Sequence, residues 1–194
     1  ESMTNAPYLL KKHRSGARLG HDTTYDHMFL DGLEDAYEEG RAMGTFAQET
    51  ANDYQMTREE MDEYSIESLR RANAAIDSGA FADEVVPVTF STRKGEVTVE
   101  HDEQPGKGRP DKIPQLRPAF AKDGTITAAT SSSISDGAAA VVLSRESVAK
   151  ANGQQPVAKI VAMAAHAQEP AQFTVAPIGA IEKVLDKAGW SADE

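Results

Sequence analysis

The chain has 194 residues, 40% hydrophobic and 26% charged, with a formal net charge of -11 at pH 7. That balance supports a globular core and disfavours nucleic acid and anionic membranes as partners, so an anionic ligand needs a local basic patch or a helix N-terminus. With no cysteine, disulfides, thiolate metal sites and a cysteine nucleophile are excluded within these residues, and no apolar run is long enough to span a bilayer as a helix.

Residues 2–21 carry Lys11, Lys12, His13, Arg14 and Arg18, with Gly16 and Gly20 breaking any periodicity. They read as a basic extended loop, either solvated or packed as an arm on another subunit. Tyr25, Met28, Phe29, Leu33, Ala36 and Tyr37 recur at spacings of three and four, which predicts a helix over 24–39. Gly40 is its stop, and the acidic residues of 31–39 form its solvated face. A second helix is expected over 45–54, with Phe46, Thr50 and Tyr54 on one side. Thr57 and Glu60 stand at capping-box spacing, opening a helix to about Ser78 with Met61, Tyr64, Leu69, Ala72 and Ile76 inward and Gly79 as its stop.

Residues 84–90 and 96–100 read as two strands of a hairpin turning across Ser91–Gly95, the first an edge strand because of Pro87. Residues 101–115 read as a polar Pro/Gly-rich loop holding Lys107, Arg109 and Lys112 close together. A strand is expected near 125–129, then the Ser131–Ser133 run, then an apolar strand at 138–143. A short helix over 146–151 ends at Gly153. Residues 157–165 read as an apolar strand, and 177–188 as an amphipathic helix with Ile178, Ile181, Val184 and Leu185 inward, stopped by Gly189. The rhythm of 135–194 is that of a layered α/β domain.

The five histidines show no metal-ligand spacing, and no GxSxG elbow, Walker motif or Rossmann glycine motif occurs. The more specific signal is the small-residue stretch 116–144. Its triple serine, followed by Ser135-Asp136-Gly137, reads either as a simple turn with a capping serine or as hydroxyls and backbone N–H groups that hold a phosphate, carbonyl or amide. The basic loop 107–112 and this turn together suit a phosphorylated, amide-bearing ligand.

Six segments then carry a resemblance: ESMTNAPY (1–8), LDGLEDAY (30–37), AMGTFAQETA (42–51), LRPAFAKDGTITA (116–128), SDGAAAVVLS (135–144) and APIGAIEKVLDKAGW (176–190). In order and spacing they resemble the thiolase family, of the bacterial acetyl-CoA acetyltransferase type. The resemblance implies an α/β, thiolase-like layered fold, represented here by the inserted loop domain plus parts of both core halves. Residues 1–4 would end an N-terminal core strand region, 5–134 would be the loop domain, with a tetramerisation arm at about 8–20, 135–155 would close the N-terminal core half, and 156–194 would open the C-terminal half.

The family performs reversible Claisen chemistry on CoA thioesters through a cysteine nucleophile, a histidine that activates it and a second cysteine that moves the proton. By this resemblance those residues fall outside 1–194, so the segment would bind the coenzyme without running the reaction. No catalytic residue and no metal ligand is assigned to it. The resemblance places Ser132 on the pantetheine arm, Ala128 and Phe120 along the same arm, Met43 near the thioester end and Phe173 at another pocket position. Lys107 or Arg109 would meet the CoA phosphate or adenine end, and Ala42 stands where the family often has a histidine. Coenzyme A would be substrate and product, with no tightly bound cofactor. Acyl-CoA and CoA would be the ligands, a homo-oligomer arranged as a dimer of dimers the assembly, with no nucleic-acid or membrane partner, and cytoplasmic fatty acid metabolism the setting. The alternative is a non-catalytic CoA-binding or assembly module derived from a thiolase. The start at Glu1 and the end just past a helical pattern read as a processed, truncated or incompletely recorded chain.

Overall fold

The computed structural model describes residues 1–193. In chain order the elements are β1 (Tyr8–Leu9), β2 (Tyr25–Asp26), a π-helical turn (Phe29–Leu33), α1 (Met43–Asp53), α2 (Arg58–Asp77), β3 (Val88–Thr92), β4 (Gly95–Val99), α3 (Glu103–Lys107), a 3-10 helix (Pro110–Gln115), α4 (Glu146–Ala151), a second 3-10 turn (Pro170–Gln172) and α5 (Ala176–Ala188). They group into two compact units, one of Glu1–Phe46 with the residues from Ile134 onward, the other of Ala47–Ser133. No helix among the described residues is long and apolar enough to cross a membrane.

In the first unit β1 and β2 pair antiparallel, Tyr8 opposite Asp26 and Leu9 opposite Tyr25. The basic arm loops out between them, and the Lys11 ammonium lies 4.0 Å from the centroid of the Tyr25 ring. The helix expected over 24–39 does not form. Only Phe29–Leu33 coils, and Glu34 leaves it to bridge Ala42. The reason is local: the Asp26 carboxylate accepts from the Met28 N–H at 2.9 Å, and the Asp35 carboxylate accepts from the N–H groups of Tyr37 and Glu38 at 2.7 Å each. Short acidic side chains that capture nearby N–H groups compete with the helical ladder.

α4 and α5 form where the sequence places them. Pro177 sits in the first turn of α5 and Gly189 ends it with φ 69°, a left-handed cap in which the Trp190 N–H reaches the Leu185 carbonyl at 3.1 Å. Of the four α5 residues expected inward, Val184 and Leu185 are half-buried, while Ile178 and Ile181 are exposed. The runs 138–143 and 157–165 are extended but join no ladder, against the expectation of two strands. A strand is a pairing as much as a sequence, and no described segment offers these runs a partner ladder. The second run is tied instead to α5: the Lys187 ammonium donates to the Met163 carbonyl at 2.9 Å, and Lys183 Nζ lies 3.0 Å from His166 Nδ1. The chain's start also has a fixed place. Thr4 Oγ1 donates to the Asp136 carboxylate at 2.6 Å and the Met3 N–H at 3.1 Å, and these bonds, led by the Thr4 hydroxyl, hold the Asp136 carboxyl below its ordinary pKa.

The second unit is organised by α2. Its capping box is complete: the Thr57 hydroxyl accepts from the Glu60 N–H at 3.2 Å, and the Glu60 carboxylate accepts from the Thr57 N–H at 2.9 Å. The buried positions of α2 are polar, Asp62 and Ser65, and Tyr64, expected inward, is exposed. Asp62 is inside because it is paired. Arg58 Nε spans both its carboxylate oxygens at 2.8 and 2.9 Å, and Arg58 Nη2 continues to the Ile113 carbonyl at 3.0 Å. A buried carboxylate needs such a partner, and here the partner also binds the 3-10 helix to α2, with Ile113 buried beneath it. The expected loop 101–115 is thus largely helical.

The expected hairpin forms with shifted bounds: Ser91, Thr92 and Gly95, expected in the turn, are paired strand residues around a two-residue Arg93-Lys94 turn, and residues 84–87 lie outside the ladder, with Val88 opposite Val99 and Phe90 opposite Val97 on one face and Thr89 opposite Thr98 on the other, their hydroxyls 2.8 Å apart. Pro87 falls just before β3, where its missing N–H costs no ladder bond. The strand expected near 125–129 is a series of turns.

On the exposed face of α2, Glu67 receives Arg70 at 2.6 and 2.7 Å and Arg71 at 2.6 Å. These hydrogen bonds, Arg70's first, hold its carboxyl at about 2 against an ordinary 4.5. A depressed carboxyl contributes stability that is present above its unfolded pKa and is lost as pH falls through the folded one. The chain should therefore lose stability between about pH 4.5 and 2, and Glu67→Gln should flatten that part of the profile, read as the urea midpoint against pH.

Candidate functional site

Two groups of candidate residues emerge, one in each unit. In the second unit the centre is Gln48 on α1, 4% exposed. Its carbonyl oxygen accepts from the N–H groups of Thr125 and Ile126 at 2.9 and 3.1 Å. Its amide nitrogen donates to Asn52 Oδ1 at 3.0 Å, one helical turn on, and to Thr125 Oγ1 at 3.1 Å. All the hydrogen-bonding capacity that matters is used, which is what makes a buried amide affordable. Gly124 permits the approach: a Cβ there would stand 2.5 Å from Gln48 Oε1 and 3.2 Å from the Ala121 carbonyl.

Beyond this anchor the chain winds around Thr127, which is 0% exposed. The Thr127 N–H donates to Thr130 Oγ1 at 2.9 Å, the Ala129 N–H donates to Thr127 Oγ1 at 3.2 Å, and the Ser131 hydroxyl donates to the Thr127 carbonyl at 2.8 Å. The turn thereby sorts the triple serine. Ser131 is spent on Thr127 and Ser133 is engaged as well. Ser132 is exposed and its hydroxyl bonds to no described residue. Ala128, also exposed, lies at the top of the same turn. The Ala119 N–H donates to the Ile126 carbonyl at 2.8 Å, which lays the backbone beside half-buried Phe120 along the turn. Three candidates, Phe120, Ala128 and Ser132, thus lie on the same stretch of the second unit, the one that this turn closes.

Lys107 and Arg109 lie on a separate stretch held along α2. Gly108 between them comes so close to α2 that a Cβ would stand 2.5 Å from Leu69 Cδ2. Lys107 pairs with Glu103 one turn back at 2.7 Å, and that bond holds the Glu103 carboxyl below its ordinary pKa. Arg109, exposed just before the 3-10 helix, has no ion pair among the described residues. The structure thus separates two cations that the sequence leaves equivalent.

Met43 and Phe173 belong to the first unit. Met43 opens α1 and is 42% exposed. Phe173 follows the second 3-10 turn and is 40% exposed. The Phe173 ring meets Phe46 edge-on, with centroids 6.3 Å apart and planes at 75°. Phe46, 1% exposed, stands three residues after Met43. Gln48 was missed in the sequence. Its only signal there was an amide side chain in an otherwise ordinary helix, whose partners lie 77 and 78 residues away.

Replacing Gln48 by Leu leaves the Thr125 and Ile126 N–H groups buried without acceptors. The expected cost is about 2–3 kcal/mol of unfolding free energy. Amide hydrogen exchange at 125 and 126 should accelerate, while exchange within α2 keeps its rate.

Comparison with known proteins matches the family described as "Thiolase, N-terminal domain" over residues 1–147. Among curated proteins, the chain is 45% identical to the acetyl-CoA acetyltransferase of Rhizobium meliloti over 98% of its own length and 48% of that protein's. It is 45% identical to acetyl-CoA acetyltransferase 1 of Arabidopsis thaliana over 100% of its length and 47% of that protein's. Among solved structures, the acetyl-CoA acetyltransferase of Bacillus anthracis superposes with a TM-score of 0.88 at 40% identity, covering 96% of this chain and 47% of that one. A thiolase from Ascaris suum in complex with coenzyme A also gives 0.88 at 40% identity, covering 100% and 49%. The chain spans about half the length of the curated relatives it matches. The fold is the thiolase-like α/β fold, and the chain belongs to the thiolase family.

Proposed function

We propose that the full-length protein is an acyltransferase of CoA thioesters, an acetyl-CoA acetyltransferase or 3-ketoacyl-CoA thiolase, and that this chain supplies its coenzyme-binding side. The observation that carries the reading is the Gln48-anchored turn with the exposed, unspent hydroxyl of Ser132. Its likeness along the whole chain to a thiolase crystallised with coenzyme A supports it.

A pantetheine arm is a slender chain of amides and methylenes. Small residues let it lie close to the backbone, and Ala128 and Phe120 give its methylenes an apolar wall. The Ser132 hydroxyl donates to, or accepts from, an arm amide and fixes the arm's register. Met43 and Phe173 line the acyl end. Of the two basic candidates, Arg109 meets the phosphate end, because its planar fork is not committed to an internal carboxylate. The thioester chemistry itself needs a thiolate, which the resemblance places outside these residues. CoA enters as substrate and leaves as product, and no tightly bound cofactor is assigned. The domain boundaries at 4/5, 134/135 and 155/156, the arm at 8–20 as a tetramer contact in a dimer of dimers, and a cytoplasmic location belong to the same proposal.

The first test is thiolysis of acetoacetyl-CoA by the full-length protein, followed by loss of ketoacyl absorbance on addition of CoA. A protein that binds CoA and never turns it over would be the non-catalytic module instead. Ser132→Ala should raise the KM for CoA about 5–10-fold, the worth of one hydrogen bond, and leave kcat nearly unchanged. Arg109→Ala should weaken CoA more than Lys107→Ala does. The Arg109 effect should shrink with dephospho-CoA and with added salt. Equal losses for CoA and dephospho-CoA would remove Arg109 from the phosphate end.

A further inference from the structure

The guanidinium of Arg41 lies over the Phe46 ring, its central carbon 3.7 Å from the ring centroid. Among the described residues, Glu38 and Thr45 hold that group. Arg41 Nη1 donates to both oxygens of Glu38 at 2.8 and 3.0 Å, and Arg41 Nε donates to Thr45 Oγ1 at 3.1 Å. Thr45 is itself fixed, its hydroxyl donating to the Ala42 carbonyl at 2.8 Å. Phe46 therefore meets Arg41 on its face and the edge of Phe173 elsewhere. It is one of the two largest fully buried side chains among the described residues, while Phe173 keeps 40% of its surface open.

We propose that Arg41 and Phe46 are positioning residues for acyl-group selectivity: together they hold the Phe173 ring in one pose, and that pose sets how much bulk the acyl end accepts. This rests on the placement of Phe173 at the acyl end given above. An aromatic ring on a mobile segment discriminates poorly, because it turns aside for a larger ligand. A ring seated edge-on against a second ring has a preferred geometry, and that second ring is covered by a planar cation whose Nε and Nη1 donors are engaged. Lysine cannot replace Arg41 in this role, because an ammonium has no plane to stack and no fork to share between Glu38 and Thr45. Met43, one turn before Phe46 on α1, is flexible, so the rigid component of this cluster is the Arg41–Phe46–Phe173 series.

The experiment uses the full-length protein and compares kcat/KM for acetoacetyl-CoA with that for 3-ketohexanoyl-CoA. Phe46→Leu should lower the ratio in favour of the longer chain by about 10-fold, within the range expected for a methylene-scale change in an apolar pocket. Arg41→Lys, which keeps the charge and leaves the buried ring in place, should lower it about 3-fold. In both, the change should fall on the ketoacyl substrate and not on the KM for CoA. Phe173→Ala should shift the ratio at least as far, and adding Arg41→Lys to it should shift it no further. If Arg41→Lys and Phe46→Leu leave the ratio unmoved, or depress both substrates equally, while Phe173→Ala moves it, the positioning role is overturned and the acyl-end placement of Phe173 stands. If Phe173→Ala also leaves the ratio unmoved, that placement falls and the inference falls with it.

Discussion

The side of this chain proposed to meet the coenzyme depends on one buried amide. Gln48 holds a helix and a distant turn together through three hydrogen bonds, two of them from backbone N–H groups that its carbonyl oxygen accepts. Everything the turn presents follows from that anchor: the wrap around Thr127, the commitment of Ser131 inward, and the release of Ser132 outward. Gly124 is the geometric counterpart, since any side chain there would occupy the space of the Gln48 oxygen. A small-residue loop thus has a defined shape without an apolar core of its own.

The same device recurs in α2 with charge in place of the amide. Asp62 is buried because Arg58 covers it, and Arg58 reaches on to the Ile113 carbonyl. The stretch with Lys107 and Arg109 therefore keeps its backbone along α2 while its cations remain on the surface. In both places a polar side chain inside the unit fixes a backbone segment whose outer residues are left available. Buried polar groups serve specificity of structure more than net stability, and here the structure they specify is the surface proposed to meet the ligand.

How much of this could be read beforehand differs from element to element. The Thr57–Glu60 box, the Gly189 cap and the hairpin are local signals, and all three formed, the hairpin with a tighter turn than its sequence indicated. The helix over 24–39 failed although its apolar spacing was good, because Asp26 and Asp35 take N–H groups that the ladder needed. Periodicity counts side-chain faces and is blind to that competition. The runs 138–143 and 157–165 have strand composition, but composition cannot supply the neighbour that makes a strand. Of the site, the small-residue turn was legible as a place, and the family resemblance as a ligand class. Gln48, Arg41 and Phe46 were not legible, since each matters through a contact and not through a pattern.

The hydrogen bonds from Gln48 to Thr125 join residues 77 positions apart. Closing so long a loop costs entropy before any bond repays it, whereas the capping box of α2 closes over three residues. The order of folding follows from this contrast. α2 forms from local contacts early, and the turn that displays Ser132 is completed only after the intervening chain, hairpin included, has been brought round. The turn proposed to meet the ligand is thus the last part of the unit to acquire its shape and the first to lose it when Gln48 lets go.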